Sequence, residues 1–421
     1  MRLTLAAVLR SLGLNRLPQR RVVPSSAGMD PIRNETPGMQ YRRFGTTGQR
    51  LSAITLGGMR YVDGWKQPHN QVPPAMAEQC ARLVQLALDA GINHIETAQG
   101  YGRSEHCYGQ VLSELRIPRA RYHLMTKGAP ATAEDAKRTV EAQLKALRLD
   151  HIDLYAWHGI NNAELADRAL AKGGPVEELH RLRDQGVIGA VGFSTHGRLE
   201  TVVRAIQSDL FSFVNLHYYY FYQRLRGAVD LAAAKDMGVF IISPNDKGGQ
   251  LFSPSPLLRD LCAPLTPIQF NARWLLASPH VHTLSFGMTE PDHVAEMRGI
   301  FPAPCPADRS LLELINRMDA RVAADPVSTW EGWECQDDPS GINIPEVLRF
   351  RRMWKCYDLE GFGRYRYNML EAKGHWFPGH YASDELVERV DTARVPAGID
   401  LKALLREAHR ALYVPKKSPT I

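Results

Sequence analysis

The chain reads as an α/β protein, a (β/α)8 TIM barrel followed by a small helical C-terminal domain. Three observations lead there. Short apolar runs recur once per strand–helix unit, and several are apolar throughout, the pattern of parallel strands covered by helices. Four of these runs end at or just before polar or ionisable side chains: Ile95–Gly102, Leu124–Lys127, Asp153–His158 and Val191–Thr195. A parallel barrel delivers chemistry in this way, from strand ends to one rim. A doubly wound open sheet is the alternative, but no G-x-G-x-x-G follows the first strand-like run.

Residues 1–38 read as a basic, disordered leader. They carry six arginines against Asp30 and Glu35, so +4 of the formal +6 net charge lies there. The apolar stretch Leu3–Leu9 is broken by Arg10, which makes a poor secretory signal. Arg20-Arg21 follows the apolar residues, the wrong order for a twin-arginine signal. An Arg-rich segment without acids before Asp30 is compatible with organellar import; otherwise the expectation is a cytoplasmic protein. The rest of the chain is nearly neutral, which argues against a nucleic-acid partner. No apolar run approaches the ~20 residues of a membrane span. Cysteines 80, 107, 262, 305, 335 and 356 show no paired C-x-x-C spacing. A reducing compartment is expected, with no disulfide framework and no metal site.

The barrel is expected over residues 39–305. Its strand-like runs are 53–57, 92–97, 122–127, 152–157, 188–193, 212–217, 238–243 and 282–287. Between the third and fourth, Thr132 and Asp135 form a capping pair that opens a helix. Ala136, Val140, Leu144 and Leu147 recur behind it as a buried stripe. Residues 306–421 change character. Trp330, Trp333, Trp354 and Trp376 crowd there, and helical patterning returns over Pro345–Trp354 and Leu401–Leu412.

An acid, a tyrosine, a lysine and a histidine at successive strand ends form a proton-transfer set, and in this order they resemble the aldo-keto reductase family. The likeness covers residues 39–300 and implies an NAD(P)-dependent oxidoreductase acting on a small-molecule carbonyl or sugar/alcohol substrate. It implies Tyr101 as general acid/base, Lys127 as the group that tunes it, Glu96 as the lysine's carboxylate partner, and His158 as the residue that orients the carbonyl. A phenol of pKa about 10 is a poor acid at neutral pH, and an adjacent ammonium lowers that value. The family usually has aspartate where this chain has Glu96, so a loosened or rearranged pairing with Lys127 is expected.

For NADP or NAD, the resemblance points to Ser194 and Thr195 (a departure from the usual Ser-Asn) and to Asn215 for the nicotinamide carboxamide. Ser243, Lys247 and Gly249 belong to a loop that lets backbone approach a pyrophosphate. Gly287, Met288 and Thr289 resemble an adenosine-phosphate loop, with Glu296 placed for the adenine. The basic residues that often grip a 2′-phosphate are missing there, His293 being the nearest candidate. The aromatic run Phe213–Phe221 is expected to divide between barrel core and pocket wall.

His158–Asn161, Gly192–Gly197 and Ile242–Pro244 resemble a branch whose ferredoxin-like extension holds a four-iron cluster. Here the matching string Cys335–Pro345 keeps the Pro, Gly-Ile and Ile-Pro framework with a single cysteine, where a cubane takes four thiolates. The extension is therefore expected to bind no iron–sulfur cluster, with tryptophan burial in its place, and to offer a protein-partner surface or a lid over the barrel mouth. A cofactor-binding regulatory protein with little turnover is the competing function.

Overall fold

A short antiparallel hairpin, β1 (Tyr41–Arg43) and β2 (Arg50–Ser52), precedes eight parallel strands. These are β3 (Ile54–Gly57), β4 (His94–Glu96), β5 (His123–Gly128), β6 (Ile152–His158), β7 (Ile188–Ser194), β8 (Phe213–Leu216), β9 (Gly238–Ile242) and β10 (Thr283–Phe286). They close in chain order, with β10 pairing back onto β3. Each coincides with one of the eight apolar runs, because strands buried on both faces have no polar alternation to disguise them. The computed structural model describes residues 31–61, 69–246, 249–303, 307–325, 327–330 and 338–415. Ile32–Ile421 form one compact unit, to which all that follows belongs.

Helices α1 (Pro74–Asp89), α2 (Ser104–Glu114), α3 (Ala133–Leu147), α4 (Ala163–Ala169), α5 (Pro175–Asp184), α6 (Leu199–Gln207), α7 (Arg226–Ala234), α8 (Pro256–Cys262) and α9 (Pro267–Leu276) connect the strands, and α10 (Pro291–Arg298) follows the last of them. The start of α3 is set as its sequence implies. The Thr132 hydroxyl accepts the Asp135 amide at 3.1 Å, and Ala136, Val140 and Leu147 are buried.

Inside the barrel, Met125, Leu154, Ala156, Ala190, Phe213 and Phe240 pack together with Phe44 and Leu51 from the hairpin. Phe44 meets the Phe213 ring at 5.4 Å and lies where a Cβ on Gly238 would stand, so glycine there makes its room. The hairpin thus plugs the end at which the strands begin, and the other end carries the site. Its strands are only three residues long and carry arginines, which hides them from a search for apolar runs. At the plugged end Asp153 is buried and accepts the Leu124 amide at 2.7 Å, an Arg33 guanidinium N–H at 2.8 Å and Arg119. Arg33 lies in the stretch read as leader, and so does Asn34, which donates to the Leu88 carbonyl at 2.6 Å. This part of the stretch is bound to the barrel. Residues 1–30 lie outside the described residues.

Beyond the barrel come α11 (Arg309–Ala323), α12 (Ile344–Tyr357), α13 (Glu360–Tyr367), α14 (Asp384–Glu388) and α15 (Leu401–Leu412). Asn343 caps α12 by accepting the Glu346 amide at 3.2 Å, with Pro345 in the first turn. Val347, Phe350 and Met353 of α12 and Leu401, Leu405 and Leu412 of α15 are buried. The expectation of tryptophan burial is corrected in one respect. Trp330 is buried, but Trp354 is only half-buried and Trp376 is 42% exposed, the latter because its loop projects toward the barrel mouth instead of into the helical core. Trp333, Cys305 and Cys335 lie outside the described residues. No group of three or more metal-ligating side chains occurs among the described residues, and no helix there is long and apolar enough to cross a membrane.

Candidate active site

Barrel register sets the site. Glu96 at the end of β4 pairs with Met125 of β5, so Lys127 stands two residues further up the next strand. On the far side, His158, Ser194 and Asn215 pair in succession across β6, β7 and β8 and share one level of the rim. Lys127 is buried. Its Nζ contacts Glu96 Oε1 and donates to the Thr97 carbonyl at 2.8 Å. Glu96 Oε2 accepts the Ser285 hydroxyl from β10 at 3.2 Å. The longer acid therefore reaches its lysine, and Ser285 holds the second oxygen: the pairing expected to be loosened is kept.

The Lys127 ammonium lies 4.7 Å from the centroid of the Tyr101 ring, and the His158 ring stands 5.8 Å from that of Tyr101, edge to face. The structure thus brings Glu96, Tyr101, Lys127 and His158 together. Burial pulls the Lys127 ammonium below the usual lysine range, while the carboxylate touching it acts in the opposite sense. Burial also pushes the Tyr101 hydroxyl up. The neighbouring Lys127 ammonium acts on the same hydroxyl in the opposite sense.

Around the rim, Ser194 Oγ accepts the Gly159 amide at 3.1 Å. Asn215 is fully buried; its Nδ2 faces the Met125 sulfur at 3.1 Å and its Oδ1 has no partner. Thr195 is differently engaged. Its hydroxyl donates to the Ile160 carbonyl at 2.6 Å and accepts the Gly197 amide at 2.8 Å, so it shapes the loop and has no proton left to give.

In the loop after β9, Ser243 and Gly249 take positive φ (+50° and +73°). Lys247 lies outside the described residues. In the loop after β10, Met288 is buried, and the Thr289 amide donates to His293 Nδ1 at 3.1 Å, which commits that imidazole to the start of α10. Glu296 turns to Thr266, accepting its hydroxyl at the cap of α9.

Sequence reasoning missed three features here. Arg60, in the loop after β3, donates to the Gly287 carbonyl at 3.2 Å, and its guanidinium lies 3.7 Å from where a Cβ on Gly249 would stand. A cation thus bridges the two glycine loops; nothing near residue 60 in sequence announces it. Second, Asp246 in the β9 loop is buried against Arg349 of α12 and accepts the Tyr219 hydroxyl at 3.1 Å. Arg349 also donates to the Phe221 carbonyl at 3.0 Å and pairs with Glu346 at 3.4 Å. Glu346, which burial alone would raise, is held low by Arg224 and Arg349. Third, Trp376 of the extension meets His158 at 5.4 Å and His196 at 4.9 Å between ring centroids. The crowding of tryptophans after residue 305 was the one signal for it.

Residues 53–251 match the profile of the Aldo/keto reductase family. The chain is 27% identical over 165 residues to the L-galactose dehydrogenase of Arabidopsis thaliana, covering 37% of this chain and 48% of that protein. It is 31% identical over 153 residues to the D-arabinose 1-dehydrogenase of Saccharomyces cerevisiae, covering 34% and 43%. The chain thus spans about half or less of these curated relatives. Among solved structures, an aldo-keto reductase from Klebsiella pneumoniae in complex with NADPH superposes with a TM-score of 0.53 at 20% identity, covering 66% of this chain and 94% of that one. That likeness concerns the fold.

Proposed function

The barrel of this chain belongs to the aldo-keto reductase family, and from that premise we propose that it transfers hydride between a nicotinamide dinucleotide and a carbonyl or sugar/alcohol substrate, with Tyr101 as general acid/base. One observation carries the reading. A buried lysine, clamped by Glu96 and Thr97, holds its ammonium over the Tyr101 ring with His158 alongside.

The residues around the rim fit the cofactor. The Asn215 Oδ1, buried without a partner, is an acceptor suited to a carboxamide N–H. Ser194, next to it in register, supplies a hydroxyl, so these two are the proposed carboxamide contacts. Gly249 and Gly287 keep the backbone open, and Arg60 between them offers positive charge to phosphate. The NADPH held by the Klebsiella pneumoniae structure is consistent with this class of cofactor.

When bound, the nicotinamide supplies or accepts the hydride at the substrate carbon. The chain's own residues manage the proton. Tyr101 Oη gives its proton to the substrate oxygen as that oxygen gains charge. Lys127 and Glu96 then stabilise the phenolate left behind, the ammonium directly and the carboxylate by keeping the ammonium in place. His158 donates a hydrogen bond that orients the oxygen toward Tyr101. In the oxidative direction the same tyrosine oxygen receives the proton.

The test is Tyr101→Phe, assayed on the best substrate from a screen of carbonyls and sugars. Turnover is expected to fall by ~100-fold or more, the scale of a lost general acid, with the nucleotide Kd retained. Lys127→Met should behave alike. Wild-type turnover in both variants would refute the proton assignment.

A further inference from the structure

Tyr101 lies in a loop that is tied to the lysine strand on both sides. Before it, the Gln99 amide donates to the Lys127 carbonyl at 2.9 Å. After it, the Tyr101 carbonyl accepts the Ser104 amide at 3.1 Å and the chain runs straight into α2. There Glu105 Oε1 accepts the Thr126 hydroxyl of β5 at 2.5 Å. Both anchors therefore fall on β5, one at Lys127 itself and the other at the residue before it. They bracket Tyr101, whose ring stands 4.7 Å from the Lys127 ammonium.

The second anchor differs from the first in that it can titrate. Glu105, Thr126 and Gln143 are all buried. Gln143 of α3 donates through Nε2 to Glu105 Oε1 at 2.6 Å and to the Lys127 carbonyl at 3.1 Å, so the acid and the lysine backbone share one amide. The cluster also presses on the next residue of the strand. A Cβ on Gly128 would stand 2.6 Å from Tyr155 Oη and 3.5 Å from Gln143 Oε1. The groups acting on the carboxyl are Thr126 of β5 and Gln143 of α3, both neutral, and Tyr155 of β6, whose hydroxyl burial and the acid itself push up. Burial raises Glu105 to about 7, which puts its ionisation in the neutral range.

We propose that Glu105 is a positioning residue: its carboxylate sets the placement of Tyr101 against Lys127, and its protonation slackens that placement. Ionised, Oε1 accepts two charge-assisted hydrogen bonds, a kind roughly twice as strong as neutral ones. A proton on Glu105 removes that charge. The hold on Thr126 and on the amide shared with Lys127 weakens, and the α2 end of the Tyr101 loop is released. Proton transfer is sensitive to small displacements of the donor, so the reaction is fastest with Glu105 ionised. This rests on the function proposed above and adds to that site a control acting from the helix side of β5.

Two readings of the full chain test it. In protein carrying 13Cζ-labelled tyrosine, the Tyr101 resonance is identified by its loss in Tyr101→Phe. It should show a step centred near pH 7 in the wild type and lose that step in Glu105→Gln. The second reading is the single-turnover rate of NADPH oxidation by 4-nitrobenzaldehyde. In the wild type it should rise with pH through the same step. Glu105→Gln should be roughly tenfold slower and flat there, with the nucleotide Kd retained. Thr126→Val should diminish both responses and Thr126→Ser restore them, so the tie is tested even if Glu105→Gln fails to fold. The inference is overturned if the Tyr101 resonance shows no such step, if the step persists unchanged in Glu105→Gln, or if that variant keeps the wild-type rate and pH profile. The two levels separate. A Tyr101 resonance that follows Glu105 in a protein that reduces no carbonyl refutes the oxidoreductase reading and upholds the tie, whereas turnover without that dependence refutes the tie alone.

Discussion

At the scale of single residues, the site turns on charges that have been denied water. Lys127 is tolerated in the barrel because Glu96 and the Thr97 carbonyl take the place of solvent, and Ser285 occupies the second carboxylate oxygen. The added methylene of Glu96 relative to aspartate is thereby absorbed by the far wall of the barrel. Arg60 acts at the opposite margin, half in water between Gly249 and Gly287. Arg60→Ala is expected to raise the Kd for NADPH by about tenfold, and the wild-type advantage should shrink as salt rises, since the contact is partly screened. Titration at low and high ionic strength checks both halves. An unchanged Kd at low salt would remove Arg60 from the phosphate path.

At the scale of elements, α12 is the joint between extension and barrel. It carries Arg349, whose guanidinium is shared by Asp246 of the β9 loop and Glu346 of its own first turn, all three buried. Removing one partner of such a group strands the others. Arg349→Met should therefore destabilise the fold by roughly 3–5 kcal/mol and weaken nucleotide binding through the β9 loop. Adding Asp246→Asn should restore part of both, which urea unfolding and nucleotide titration would read. The elements themselves were largely legible. The eight strands betrayed themselves by unbroken apolar runs, and α12 and α15 by their apolar spacing. The four residues of the proposed proton-transfer set were legible in the sequence because Glu96, Lys127 and His158 lie at the ends of successive strands and Tyr101 follows in the loop after the first, so chain order alone sets their order round the rim. Arg60, Arg349 and Trp376 were not, since each acts across more than a hundred residues of sequence on a partner that only the closed barrel brings near. The β1–β2 hairpin escaped because its interior-facing residues, Phe44 and Leu51, stand isolated among polar neighbours.

At the scale of the whole molecule, buried imidazoles govern the response to acid. Burial lowers His123 to about 3 and His282 to about 4 from an ordinary 6.5, and His94 moves in the same direction. Below pH 6.5 the unfolded chain takes up protons that the folded one refuses, so stability falls as pH falls, by about 1.4 kcal/mol per pH unit for each proton not offset. Glu105 offsets one of them. Burial raises its carboxyl from 4.5 to about 7 against the Thr126 and Gln143 hydrogen bonds, so between those values the folded state holds the extra proton. Tm should decline from pH 7 to pH 5 in the wild type and more steeply in Glu105→Gln, as calorimetry would record; equal slopes would exclude the Glu105 assignment. The joint at α12 has a further consequence, for the order in which the protein is made. Asp246 leaves the ribosome 103 residues before the arginine that neutralises it. By then β3 to β9 are available, but the closing strand β10 and Arg349, with which Asp246 is buried in the folded chain, are not. The nascent barrel can pair its strands while this loop stays in water. Its packing against α12 settles only once residue 349 has been synthesised and docked. Under the proposed function, nucleotide binding would thus be a late event in biogenesis, reached after the barrel has closed.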